Sequence, residues 1–131
     1  MKSKPVGQHP LSSDEAARAK GQAWVNAWNS HDINRIMAFY AEPLKFISPL
    51  VVLRTGNKSG CISDLESLRA YFNKGLAERP DLRFEFEAAF RGVTSVAVLY
   101  QNPRGQAVEV MSFDDTGRVI ETRVHYLPGL L

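Results

Sequence analysis

An α+β domain, with three helices beside a curved antiparallel sheet, is predicted for this 131-residue chain by three observations. Apolar residues recur at helical spacing up to Pro80, the period changes to two after it, and three turn signals divide the remainder into four strands. No internal repeat or low-complexity run interrupts this order.

Residues 1–11, with Pro5, Gly7 and Pro10, read as a mobile N-terminal arm ahead of a single domain over residues 12–131. Ser12-Ser13-Asp14-Glu15 fits a capping box with Ser12 as N-cap, and Ala17, Gly21, Trp24 and Trp28 then form the buried stripe of a first helix ending near Asn29 and Ser30. A second helix starts at Asp32, places Ile33, Ile36, Met37 and Tyr40 on one face, and is stopped by Pro43. Leu44 to Ser48 reads as a short strand closed by Pro49, with Leu44, Phe46 and Ser48 on one face. Leu50 to Arg54 either extends it or forms a hairpin with Ser59 to Ile62 across Thr55-Gly56-Asn57-Lys58. Ser63-Asp64-Leu65-Glu66 is a second capping box, and Leu65, Leu68, Phe72 and Leu76 give the third helix its apolar stripe. The turns Arg91-Gly92, Asn102-Pro103-Arg104-Gly105 and Asp114-Asp115-Thr116-Gly117 then cut the C-terminal half into an antiparallel meander. Its last strand separates Ile120, Thr122, Val124 and Tyr126, expected inward, from Glu121, Arg123 and His125, expected outward.

Composition excludes several classes. Apolar residues at 44% and charged residues at 23% are ordinary for a globular domain. The apolar stretches Leu50–Leu53 and Val96–Tyr100 are too short to span a bilayer, so no membrane role is expected. The basic N-terminus leads into Gly7, Gln8, His9 and Pro10 without an apolar core and is not expected to be a signal peptide. A net charge of +2 with no basic run longer than two residues argues against a nucleic-acid partner. Cys61 is alone, which makes a reducing cytoplasm the default compartment. His9, His31 and His125 have no metal-ligand spacing, so no metal is expected, and no residue pattern calls for another cofactor.

The strand Gln106–Phe113 carries the most chemistry. Alternation places Glu109 on the face of Ala107, Met111 and Phe113, and a carboxyl group among apolar neighbours is driven toward its protonated form. Such a group serves as acid, base or hydrogen-bond donor near neutral pH. The opposite arrangement, with Val108 and Val110 inward and Glu109 in solvent, satisfies the strand pattern equally well.

The element order, together with Trp24-Val25-Asn26-Ala27-Trp28-Asn29-Ser30-His31-Asp32, Phe39-Tyr40-Ala41-Glu42, Ile47-Ser48-Pro49, Leu68-Arg69-Ala70-Tyr71-Phe72 and Phe113-Asp114-Asp115-Thr116-Gly117-Arg118-Val119, resembles the nuclear transport factor 2-like superfamily. Within it, the SnoaL-like and ketosteroid-isomerase-like members are the most similar. The resemblance implies a cone, in which the bent sheet wraps the helices around a deep apolar cavity. It also implies a homodimer on the sheet's outer face, where Arg123 and His125 would lie. By the same resemblance the isomerase's general base, an aspartate before a proline, falls at Ser48 before Pro49; its oxyanion-hole tyrosine falls at Trp24; and a supporting tyrosine falls at Phe72. Only the second oxyanion-hole acid survives of the three central groups, at Glu109, so classical steroid isomerisation is not implied. The SnoaL-like polyketide cyclases use an acid on a sheet strand as lone acid and base without a cofactor, and Glu109 fits a comparable part. No trio matches the aspartate, arginine and aspartate set of the superfamily's epoxide hydrolases.

The inward faces so set make Trp24, Trp28, Tyr40, Phe46, Ser48, Tyr71, Tyr100, Met111, Phe113 and Tyr126 the expected substrate-binding residues, in a cavity wall that also includes Phe84, Phe86, Val96, Val98, Glu109 and Val124. Each aromatic is core by default. Ser48 has the plain alternative of a strand-end hydroxyl, Asp32 reads as a helix cap, and Asp114 and Asp115 read as turn formers. A Ser48–His125–Glu109 triad fails because His125 points away from the other two. The expected function is binding of a small apolar, oxygen-containing molecule, with isomerase- or cyclase-like acid/base chemistry at Glu109. The alternative is a non-catalytic ligand-binding or dimerisation module.

Overall fold

The computed structural model describes residues 9–131, and most of the expected N-terminal arm lies outside that range. Its last three residues are held in place: His9 and Leu11 are buried, and the His9 ring Nε2 is 2.8 Å from the Asp114 carbonyl. The first helix, α1, spans Asp14–Asn29 and is capped by Ser13, whose hydroxyl accepts from the Ala16 N–H. The expected cap at Ser12 is therefore one residue early. Trp24, Val25, Ala27 and Trp28 are buried along α1, in agreement with the helical spacing.

Asp32 caps α2, Ile33–Met37. That helix is a single turn, shorter than the pattern suggests, because the chain enters strand β1, Tyr40–Ile47, well before Pro43. The segment after Ser48 is the main departure from expectation. Pro49–Thr55 forms helix α3, with Ser48 as N-cap accepting from the Leu50 N–H and Gly56 closing the end at a left-handed φ of 76°. Strand β2, Cys61–Ile62, pairs with β1 rather than with residues 50–54. The long helix α4 spans Leu65–Glu78 and is capped by Asp64 instead of Ser63. Among the described residues four helices thus replace the expected three.

The remainder is the predicted meander: β3 (Glu85–Arg91), β4 (Ser95–Asn102), β5 (Gly105–Phe113) and β6 (Val119–Tyr126). The six strands form one curved, unclosed sheet in the order β2-β1-β6-β5-β4-β3. All neighbours are antiparallel except β1 and β6, which run parallel. Register shifts interrupt the pairings of β1 with β6, β3 with β4 and β5 with β6, and such irregularities add twist and bend to a sheet. The concave face holds the helices against a core that includes Trp24, Ile36, Leu68, Met111 and Val119. Gly21 makes the close approach possible: a Cβ there would lie 3.0 Å from the Phe86 ring and 3.3 Å from a Val98 methyl.

Candidate functional site

On β5 the buried residues are Ala107, Glu109, Met111 and Phe113, whereas Val108 and Val110 are only half-buried. The inward arrangement of Glu109 is the one the fold adopts, and its side chain is 4% exposed. Register explains its surroundings. Glu109 stands opposite Val98 on β4 and Val124 on β6, while the next row holds Tyr100, Ala107 and Tyr126. Two valines flank the carboxyl group and two tyrosines lie diagonally across from it, within reach of long side chains on an antiparallel sheet.

The Tyr100 hydroxyl donates to Glu109 Oε1 at 2.8 Å. Burial raises the Glu109 carboxyl from about 4.5 to about 8, because the charged form loses hydration, and the Tyr100 hydrogen bond works in the opposite sense. Burial also raises Tyr100 and Tyr126, in both cases reinforced by the neighbouring Glu109 charge. At neutral pH the group is a cluster of neutral hydroxyls and a mostly protonated carboxyl, able to donate to an oxygen or to exchange a proton.

Glu109 lies in the wall of a pocket of about 240 Å³. Of the expected wall, Trp24, Trp28, Phe46, Ser48, Tyr71, Tyr100 and Tyr126 line it. Tyr40, Met111 and Phe113 do not; they are buried in the core, as are Val96 and Val98, and Phe86 packs against that core rather than the pocket. The correction for Tyr40 follows from its hydrogen bond, since its hydroxyl accepts from the Trp24 indole Nε1 at 3.1 Å. That bond also occupies the Trp24 donor. Met111 and Phe113 share the Glu109 face but sit further along β5, with Met111 level with Val96 and Thr122. The aromatic wall is continuous: Trp24 stacks on Phe84 at 5.5 Å and meets Tyr100 edge-on at 5.1 Å, while Trp28 and Phe46 each meet Phe72 edge-on.

Sequence reasoning missed a polar rim. Arg54, Gly75, Glu78, Arg79, Asn102 and Arg104 also line the pocket. Arg54, near the end of α3, lies across α4: its guanidinium sits 5.1 Å from the Tyr71 ring centre, pairs with Glu78 at 2.8 Å, and passes over Gly75, where a Cβ would be 3.1 Å from Nη1. Tyr71, Gly75 and Glu78 are spaced i, i+4 and i+7 on α4, so one helical face was legible as a unit. Its partner was not, because residues 50–54 read as strand.

The four positions to which the isomerase resemblance pointed, Trp24, Ser48, Phe72 and Glu109, all border this pocket. Residues 22–125 match the family model of the SnoaL-like domain. The chain is a member of the SnoaL-like family. A SnoaL-like protein of unknown function from Burkholderia thailandensis is 35% identical, with a TM-score of 0.86 over 90% of this chain and 98% of that one. An NTF2-like protein of unknown function from Cytophaga hutchinsonii, 14% identical, has a TM-score of 0.59 over 82% of this chain and 86% of that one. An uncharacterised cystatin-fold protein from Novosphingobium aromaticivorans, 15% identical, has a TM-score of 0.67 over 82% and 96%. The last two likenesses concern the fold alone. No curated protein matches the sequence.

Within this SnoaL-like domain, Ser48 serves as the α3 cap and Trp24 as a donor to Tyr40, so two of the four isomerase positions are engaged in local structure. Among the described residues no group of three or more His, Cys, Asp or Glu is placed to hold a metal ion, and no helix is long and apolar enough to cross a membrane. Arg123 and His125 are exposed, as the alternation on β6 predicts.

Proposed function

We propose that this SnoaL-like protein binds a small, mostly apolar molecule bearing a carbonyl or hydroxyl oxygen, and that Glu109 performs isomerase- or cyclase-like acid/base chemistry on it. The observation that carries the proposal is the buried Glu109–Tyr100 pair in the wall of an aromatic pocket. Protonated, Glu109 donates to a carbonyl oxygen and stabilises an enolate as its charge develops. Ionised, it takes a proton from the carbon next to that carbonyl, the C–H electron pair moving into the enolate, and it returns the proton to another carbon. The two roles separate by pH: turnover through the carboxylate rises as pH passes about 8, and turnover through the acid falls there.

NMR titration of the Glu109 carboxyl carbon is the direct test. The expected midpoint is about 8, and Tyr100→Phe, by removing the donor that favours the charged form, moves it upward by about one unit. A midpoint near that of a free glutamate, about 4.3, together with unchanged ligand binding in Glu109→Gln, would falsify the proposal.

The engagement of Ser48 and Trp24 in local structure favours a second reading, a binding module that returns its ligand unchanged. Turnover abolished by Glu109→Gln separates the two. We further propose the homodimer through the sheet's outer face around Arg123 and His125. Sedimentation velocity checks it: a dimer weakened by reversing the charge at Arg123 is the expected result, and a monomer at all concentrations sinks it.

A further inference from the structure

The pocket has a chemical polarity from floor to mouth. Its floor is Glu109, neutral at physiological pH, between two tyrosines. Its rim carries three guanidinium groups, Arg54, Arg79 and Arg104, against one rim carboxylate, Glu78. The three are not equivalent. Arg54 is paired with Glu78 and stacked on Tyr71. Arg79 is paired with Asp81 at 3.2 Å. Among the described residues, no carboxylate pairs with Arg104.

Arg104 is nonetheless well placed. It occupies the tight turn between β4 and β5, where its N–H donates to the Asn102 side chain at 2.8 Å. The next residue, Gly105, has a φ of +125° that a side chain would strain, and Leu130 packs against it so closely that a Cβ would come within 2.9 Å. The Arg104 Nη1 donates to the Leu130 carbonyl at 3.4 Å, leaving most of its five donors unused. The turn, the Asn102 contact and the C-terminal segment therefore hold a cation at the mouth without neutralising it. Its field reaches the pocket wall, lowering both Tyr71 and Tyr126 against the larger effect of their burial.

We propose that the ligand is a small amphipathic acid, whose carboxylate is held by Arg104 at the mouth while its oxygen-bearing apolar end reaches Glu109. The proposal deepens, and rests on, the reading of Glu109 given above. A guanidinium fork suits a carboxylate, which it can take through two parallel hydrogen bonds. A protonated Glu109 does not repel such an anion. A pocket of about 240 Å³ lies below the roughly 300–1,000 Å³ typical of drug-sized ligands, which favours a skeleton of one or two rings.

The test compares three probes: 4-oxocyclohexanecarboxylate, which carries a ketone and a carboxylate at opposite ends, its carboxamide, and cyclohexanecarboxylate. The two tryptophans of the chain, Trp24 and Trp28, both line the pocket, so intrinsic fluorescence reports occupancy. The expected result is binding of the keto acid about tenfold tighter than its amide, a preference that shrinks to about twofold in Arg104→Gln and is only partly retained in Arg104→Lys, which keeps the charge but not the fork. An amide bound as tightly as the acid, or an acid preference that survives Arg104→Gln, overturns the inference. If the amide's binding still responds to Glu109→Gln, the functional reading survives that result. An Arg104-dependent acid preference indifferent both to Glu109→Gln and to loss of the ketone supports the charge recognition and sinks the acid/base role. No binding of any probe overturns both.

Discussion

At Glu109 the carboxyl remains protonated in the folded chain up to about pH 8, but ionises near 4.5 when the chain is unfolded. Between those values the folded state holds the extra proton, so stability falls as pH rises across that window and levels off above it. The neighbouring phenols of Tyr40, Tyr71, Tyr100 and Tyr126 are all raised by burial and stay neutral there. At 1.36 kcal/mol per unit, the wild type is expected to lose on the order of 3–5 kcal/mol between pH 5 and pH 9 relative to Glu109→Gln. Urea denaturation at the two pH values measures the difference, and parallel behaviour of the two proteins would show that Glu109 is not desolvated. Alternation limited this residue to two orientations. Only the pairing of β5 with β4 and β6 chose between them, since burying the face of Glu109 also buries Met111 and Phe113.

Helix α3 is the element on which local pattern and structure part. Leu50-Val51-Val52-Leu53 is a run of β-branched and branched apolar residues, which reads as strand. The opposing signal was present in Ser48-Pro49, a capping hydroxyl followed by proline at the first helical position. Taken as a strand stop, that proline hid a helix start. The consequence reached the pocket, because α3 delivers Arg54 across α4 to its mouth. Ser48→Ala is expected to destabilise the fold by about 1 kcal/mol through the lost cap, and Ser48→Thr, which keeps the capping hydroxyl, to cost much less in a thermal melt. Equal losses for both variants would place the Ser48 contribution elsewhere, for instance in its contact with Tyr126.

Across the whole molecule, the pocket exists because a bent sheet and a helical layer approach closely on one side and diverge on the other. Gly21 marks the close side. Gly21→Val would drive methyl groups into Phe86, Val98 and Ala89, and is expected to cost about 1–3 kcal/mol by overpacking, read as a lower denaturation midpoint with an unchanged slope. A neutral outcome would mean that α1 can lift from the sheet without loss.

The sequence by itself determined the fold class, both long helices, the meander, the inward face of β6 from Thr122 onward, though not the register shift that buries Val119 in place of Ile120, and a short list of candidates on which Glu109 already stood. These follow from hydrophobic period and turn chemistry, which act over a few neighbouring residues and so leave a local trace. Tertiary structure alone decided that Tyr40, Met111 and Phe113 belong to the core, that Trp24 is spent on Tyr40, and that Arg54, Arg79 and Arg104 ring the entrance. Those outcomes depend on distances between segments far apart in the chain, and an arginine on a turn carries no mark of what it will face until the sheet bends and brings the opening to it.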